Sequence, residues 1–463
     1  MMNEYPPDPR GHDTRPAEPA GDRAYRNLVR RNGRWNFWVN VGDLSFVNLA
    51  GSFVFISTIL PLYVSYLTES RVLIGLIPTV YLVASHLPQL LMAARAESLA
   101  RKKPWIVRIS VFERVPWLVL GLGILLWPVA PAWFSYLFLV AMLLVAQGAV
   151  GVASPAWRAM LAKIIHPDRK GMMFGLGAAI GALMGAGGAL LARHILDTMP
   201  YPRSFAACFV LAFAGQAISW TFLTFNREPA HTPERSRVRL GAYLRELPAV
   251  LRRDHNFARF LLSQILVIFG ALGVTFYVIY AREAFAISDS FAATLTVAAL
   301  ISQAVGTPLI GWWGDRFGHR AAIEVAALLC AAAGVVVLVA PAAAWMYAAF
   351  ALLSLSDAGI RVSRPSLAMD LGAAGRVATY TALTTTLLAA PALAAPIAGG
   401  WLIDTVNYRT VFAAGVVLSL GGWLLLRFGV ADPRVARRPR AGGSAGRPPN
   451  VGRGELGSGR RRS

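Results

Sequence analysis

The chain has 463 residues, 56% of them apolar and only 15% charged, and its mean hydropathy is +0.51. A soluble domain carries about a quarter of its residues as charged side chains, so this composition excludes one and points to lipid. The net charge of +21 would suit a nucleic-acid binder, but the basic residues lie almost wholly in short polar segments between apolar runs, which excludes that class too.

Residues 1–35 are polar, proline-rich and arginine-bearing, with no apolar stretch beside a cleavage site. They read as a disordered basic tail without a signal peptide. Beyond them, apolar runs of about twenty residues predict twelve membrane-spanning helices. These fall near 41–66, 72–94, 105–128, 131–153, 172–192 and 204–225, then 257–281, 290–311, 321–340, 343–362, 377–402 and 408–428. An even number puts both chain ends on one side. Of the 45 Lys and Arg residues, 39 lie in segments assigned to that side, against Arg71, Arg193, Arg203, Arg282 and Arg409 opposite. By the positive-inside rule both ends are expected in the cytoplasm, in a cell membrane.

Span 1 carries Asp43 about a turn inside its end, with Asn40 on the same face. Deeper in, Ser45, Asn48 and Ser52 follow a three-then-four spacing and form one polar stripe. We read the stripe as lining a cavity, with helix–helix packing an equal alternative. For Asp43, a gate-side hydrogen bond or a helix cap is favoured over proton carriage. His86 in span 2 and Gln264 in span 7 are weaker candidates. Span 3 carries Glu113 and Arg114 about 12 Å below its start. Neighbours in sequence point about 100° apart, so each is expected to find a partner on another helix. Burial makes Glu113 the first choice for a protonatable carboxylate, although a structural ion pair is the commoner outcome. The cysteines, Cys208 and Cys330, lie inside apolar runs and imply neither a disulfide scaffold nor a thiolate metal site.

Residues 226–256 form a linker in which Leu240, Tyr243, Leu244, Leu247 and Leu251 recur at helical spacing among arginines. An amphipathic helix on the anionic inner leaflet is expected there. Between spans 8 and 9 stands Gly311-Trp-Trp-Gly-Asp-Arg-Phe-Gly-His-Arg320, read as a tight loop in which Gly311, Gly314 and Gly318 allow close approach and reversal. Glu324 follows a turn into span 9 and is expected to serve that loop. In span 10, Asp357 and Arg361 have the spacing of an intrahelical ion pair, and Arg361 and Arg364 near the boundary can snorkel. Residues 431–463, rich in Gly, Pro, Ser and Arg, read as a disordered tail.

The halves repeat. Placing residues 93–102 over 311–320 sets Glu97 on Asp315, and a similar offset sets Pro155 on Pro365. Duplicated six-helix units, residues 36–225 and 257–430, are therefore expected.

The 311–320 stretch resembles the loop signature of the major facilitator superfamily, G-x-x-x-D-R-x-G-R-R/K, with His319 replacing one basic residue. The resemblance covers about 40–430 and implies an all-α membrane protein of two pseudo-symmetric six-helix bundles. It also implies a cytoplasmic gate latched by Gly311, Gly314, Asp315, Arg316, Gly318 and Arg320, with Glu97 in a degenerate first copy. Gln147-Gly148-Ala-Val-Gly151 resembles the end of the family's R-x-x-Q-G-x-G motif, but Leu144 stands where the arginine tied to proton coupling in drug/proton antiporters would be. Gly177-Ala-Ala-Ile-Gly181-Ala-Leu-Met-Gly185 is similar to the antiporter motif G-x-x-x-G-P-x-x-G, with Ala182 replacing proline.

The expected function is secondary transport of a small molecule by alternating access, proton-coupled and leaning to export. Uptake of a sugar or organic acid by symport or uniport is the alternative. Cavity or coupling roles fall to Asp43, Asn48, Ser52, Glu113, Arg114, Gln147, Gln264, Asp357 and Arg361. No Walker-type phosphate loop is present, and no acid–histidine cluster or metal-ligand spacing supports an embedded enzyme. Expected partners are the substrate, protons and anionic lipid, with no cofactor, metal or nucleic acid, and a monomeric state.

Overall fold

A computed structural model of the chain describes residues 20–230, 252–372 and 377–432. The N half comprises α1 (Ala20–Ser52), α2 (Ile59–Ser65), α3 (Arg71–Ser98), α4 (Lys103–Ile109), α5 (Val111–Leu126), α6 (Ala132–Ile164), α7 (Pro167–Thr198) and α8 (Arg203–Thr224). The C half comprises α9 (His255–Gly270), α10 (Tyr277–Phe285), α11 (Asp289–Phe317), α12 (His319–Val339), α13 (Trp345–Leu371), α14 (Val377–Thr405) and α15 (Tyr408–Leu424). Pairs separated only by short breaks, α1–α2, α4–α5 and α9–α10, each continue one rod, so these helices form twelve rods. Ten rods are long and apolar enough to cross a membrane. The other two, α1–α2 and α13, are those carrying Asp43 with its polar stripe and Asp357, Arg361 and Arg364. Starts are set by side-chain caps: Ser70, Asp254, Ser288 and Asn407 each accept a backbone N–H three residues on.

Three expectations are corrected. First, α1 begins at Ala20, so residues 20–35 are helical and Asp43 lies mid-helix, where it caps nothing. Second, span 1 is interrupted: residues 53–58 leave the helix before α2 resumes at Ile59. Third, 311–320 is no loop. Helix α11 runs to Phe317 and α12 begins at His319, leaving Gly318 alone at the turn. Its φ of 100° is the left-handed side that a Cβ disfavours, which lets one residue reverse the chain. Gly314 is needed for packing, because a Cβ there would meet the His319 ring at 2.8 Å and Ser363 Oγ at 3.3 Å, whereas Gly311 has ample space. The amphipathic segment at 240–251 and the tails at 1–19 and 433–463 lie outside the described residues.

Inside the N half, α1 packs on α7 and α8, α3 on α6, and α5 on α6 and α8; in the C half, α12 packs on α13 and α15, α11 on α13, and α9 on α15. The halves meet along α7–α11 and α3–α14. The α1–α7 contact decides the fate of the polar stripe. Gly177 faces Leu44, Gly181 faces the Asn48 amide, and Gly188 faces Ser52 and Leu49. Ser45, Asn48 and Ser52 bond back to carbonyls of their own helix. The stripe is therefore helix–helix packing, not a cavity wall, and the α7 glycines are its complement. Gly181→Val should overpack this notch and cost about 1–3 kcal/mol. Thermal melts of the purified protein check this, with Gly187→Val as a control at a position open to space; equal melting of the two variants would refute the notch.

The apolar core is asymmetric along the rods. At the end opposite the termini, here the far end, one continuous core joins both halves, from Phe53, Tyr63, Phe205 and Phe209 to Phe276, Tyr277, Phe350 and Phe412. Toward the termini it splits into two. One core holds Phe37, Ile106, Met160 and Leu223 of the N half only, and the other Phe257, Ile323, Leu367 and Leu426 of the C half only.

Candidate functional site

The N half buries a polar chain across three rods. Asp43 on α1 accepts a hydrogen bond from Ser219 Oγ on α8 at 2.6 Å, and Ser219 in turn accepts from Arg114 Nη2 on α5 at 3.2 Å. Arg114 also donates to the carbonyls of Gln216 and Ser110, both at 2.8 Å. Its Nη1 lies 3.0 Å from Glu113 Oε2. Here the sequence expectation is corrected in part. Arg114 does reach another helix, but Glu113 pairs with its own neighbour, because the long guanidinium stem bends back across the angle that separates their Cβ atoms. Asp43, fully enclosed, makes no ion pair among the described residues. Gln147 is buried on α6.

Toward the termini the two halves part around a cavity of about 550 Å³. Its walls are Leu82, Val83 and Leu87 of α3 and Ile268 of α9, with Leu388, Ala389, Ala392 and Leu393 of α14. Its polar groups are His86, Arg364 and three threonines of α14. Arg364 does not snorkel to the boundary as expected. Its Nε donates to Oε1 of the fully buried Gln264 at 2.9 Å, which holds the guanidinium in the cavity wall. Asp357 and Arg361 form the expected intrahelical pair, and Gln303 on α11 reaches Asp357 at 3.5 Å.

At the terminal end of the C half, Arg320 donates to Glu324 at 2.9 Å and to the Arg427 carbonyl, while Arg427 reaches Glu324 at 3.4 Å. Glu324 thus fastens the 311–320 stretch to Arg427, in the turn that follows α15. Asp315 Oδ1 lies 3.7 Å from His319 Nε2, and Arg316 lies over the Trp312 and Phe317 rings. The Glu97 side chain lies outside the described residues. In the N half the organiser is Glu228, not singled out from sequence. It accepts the backbone N–H groups of Lys102 and Lys103 at the start of α4 and pairs with Lys163 at 3.1 Å. An acid just past the last span of the half, opposite a basic helix start, was the available signal.

The far end holds the seam between halves, of which sequence reasoning singled out only Arg71 and Arg282, as loop charges. Asp404 on α14 accepts the N–H groups of Arg71 at 3.0 Å and Val72 at 3.3 Å, capping α3 from the other half. Arg71 pairs with Glu283 and donates to Tyr408 at 2.7 Å. Tyr66 donates to Asp289 at 2.7 Å, and Arg282 stacks on Tyr66 while donating to Ser65. Ser290 donates to Asp197 at 3.1 Å. Backbones touch here too: a Cβ at Gly75 would run into the Pro396 carbonyl, and one at Gly400 into the Arg71 carbonyl.

The sequence matches a model of the Major Facilitator Superfamily over residues 43–281 and again over 260–460. Solved structures of similar fold include the nucleoside transporter NupG, at 12% identity, covering 84% of this chain and 99% of that one with a TM-score of 0.65. A D-xylose–proton symporter aligns at 11% identity over 86% and 98%, with a TM-score of 0.64. A POT family transporter in complex with 5-aminolevulinic acid aligns at 14% identity over 84% and 94%, with a TM-score of 0.63. No curated protein matches the sequence. With the family model spanning both six-rod halves, and those halves joined at one end and parted at the other, this chain belongs to the major facilitator superfamily of integral membrane transporters.

Proposed function

We propose that this protein is a proton-coupled secondary transporter that moves a small molecule by alternating access. The observation that supports it is the divided core: one apolar core binds the halves at the far end, and separate cores flank a cavity toward the termini. Two rigid bundles so arranged can rock about the middle, exchanging the closed end for the open one. Reading the terminal end as cytoplasmic, from the basic-residue bias, makes this the inward-open state. The glycines of α7 that resemble the antiporter motif are packed against α1, with Gly185 also against Leu300 of α11, so close helix approach accounts for them whatever the direction of transport.

The coupling acid in this reading is Asp43 rather than Glu113. Glu113 is in direct contact with Arg114, while Asp43 makes no contact with that cation and is bridged to it by the Ser219 hydroxyl. A buried carboxylate without a direct cation gains most from taking up a proton. Proteoliposomes holding a pH-sensitive dye, challenged with a compound panel, test both statements. Wild-type protein should move protons with its substrate. Asp43→Asn should abolish proton movement yet sustain substrate exchange, and Glu113→Gln should keep both. Undiminished proton movement in Asp43→Asn would remove Asp43 from the role, and no flux for any compound would remove transport itself.

A further inference from the structure

The cavity between the halves holds a cation without a carboxylate. Arg364 lines the cavity and has one side-chain hydrogen bond among the described residues, from Nε to Gln264, which leaves both Nη groups without one. Among the described residues, no Asp or Glu lines the cavity. Asp357, two turns away on the same helix, acts on Arg364 only at a distance, while its contacts are with Arg361 and Gln303. His86 stands across from Arg364 on α3, with Nδ1 placed 2.9 Å from the Leu82 carbonyl, so that Nε2 is the ring nitrogen left for a ligand. Thr384 and Thr385 donate to carbonyls of their own helix and offer their oxygens only weakly. The remaining wall is aliphatic.

A guanidinium in a membrane-embedded, mainly apolar cavity is costly unless a counter-ion meets it. Its free edge presents a planar fork suited to two oxygens of one oxyanion. Gln264 supplies pre-organisation, because a fully buried amide fixes the rotation of the fork before a ligand arrives. The volume of about 550 Å³ is in the range that encloses a drug-sized body. We propose that this cavity takes an amphipathic organic anion, its carboxylate or related oxyanion held by Arg364 and its apolar body laid between α3 and α14. The proposal rests on the reading of the protein as a transporter with this cavity as its substrate site.

Binding is measured on the full-length protein in phosphatidylcholine nanodiscs by calorimetry, with three ten-carbon probes: decanoate, decanol and decyltrimethylammonium. Decanoate should bind at least tenfold more tightly than either of the others. Arg364→Gln should lose that advantage, and Arg364→Lys should keep part of it, since a point charge replaces a fork. Ala389→Phe, which fills the cavity but leaves Arg364 and Gln264 in place, should weaken decanoate tenfold in a protein of native stability. Equal affinity for the three probes, or decanoate binding untouched by Arg364→Gln and Ala389→Phe, would overturn the proposal. Phosphatidylglycerol in the disc should leave decanoate affinity unchanged, and displacement by it would hand the site to a lipid headgroup and overturn the substrate assignment. Flux assays fail separately: transport of cations alone would preserve the transporter and refute the anion site, while decanoate binding without any flux would do the reverse.

Discussion

Arg114→Ala is expected to destabilise the N half by about 3–5 kcal/mol, the cost of removing one partner from a buried ionic cluster. The side chain serves α5 and α8 at once, giving hydrogen bonds to two carbonyls, to the Ser219 hydroxyl and to Glu113. Without it, Glu113 and Asp43 are two carboxyl groups inside a membrane bundle with no cation, and the Gln216 and Ser110 carbonyls lose a donor. Arg114→Lys should recover only part of the loss, because one ammonium cannot reproduce the fork that reaches both directions. The decisive comparison is the triple variant Arg114→Met, Asp43→Asn, Glu113→Gln. Neutralising the cluster as a whole removes the unpaired charges, so its melting temperature should rise well above that of Arg114→Ala. Melting curves in detergent measure all four proteins. If Arg114→Ala melts like the wild type, the cluster is not what holds α5 to α8.

Gly400→Val is expected to hold the far end apart and cut transport by at least tenfold. Helix α14 crosses α3 so closely that even a Cβ at Gly400 would overlap the Arg71 carbonyl and crowd the Val72 nitrogen. Those are the residues whose N–H groups Asp404 caps, so the substitution breaks the fit and the inter-half cap together. The two neighbours of the glycine are backbone atoms, which cannot swing aside as a side chain would. The variant should still insert and fold, because each half keeps its own core toward the termini. Electron–electron resonance distances across the far end should lengthen. Asp404→Ala, which removes the cap but leaves the close approach, should produce a smaller change in the same direction. Far-end distances equal to wild type in Gly400→Val would mean that the seam tolerates the bulk and does not gate.

Much of the architecture was legible from composition alone. Lipid demands that backbone polar groups be satisfied within each rod, so an apolar run of sufficient length is read directly as a helix. That is why the starts at Arg203, Asp289, Val377 and Tyr408 agree with the apolar runs to within about one residue. The Asp357–Arg361 pair and the service of Glu324 to its neighbouring stretch were equally local, being set by spacing along one helix. Signals that depend on what a helix faces were harder. The Asn48–Ser52 stripe looks the same whether it meets water or a row of glycines, and only the approach of α7 decides between them. The 311–320 stretch looked like a loop because its glycines and charges suggest one, yet a single left-handed glycine turns the chain.

The sequence by itself determined that this is a lipid-embedded, duplicated bundle and which end carries the basic charge, because those properties follow from hydropathy and spacing within single segments. The tertiary structure alone decided which charges meet: that Arg114 reconciles Asp43 with Glu113, that Gln264 turns Arg364 into a cavity instead of the boundary, and that Asp404 caps a helix of the opposite half. Apart from Glu113 and Arg114, neighbours on α5, the contacts among these groups join different rods, at least 100 residues apart in sequence. No periodicity along one rod records which neighbour will stand beside it.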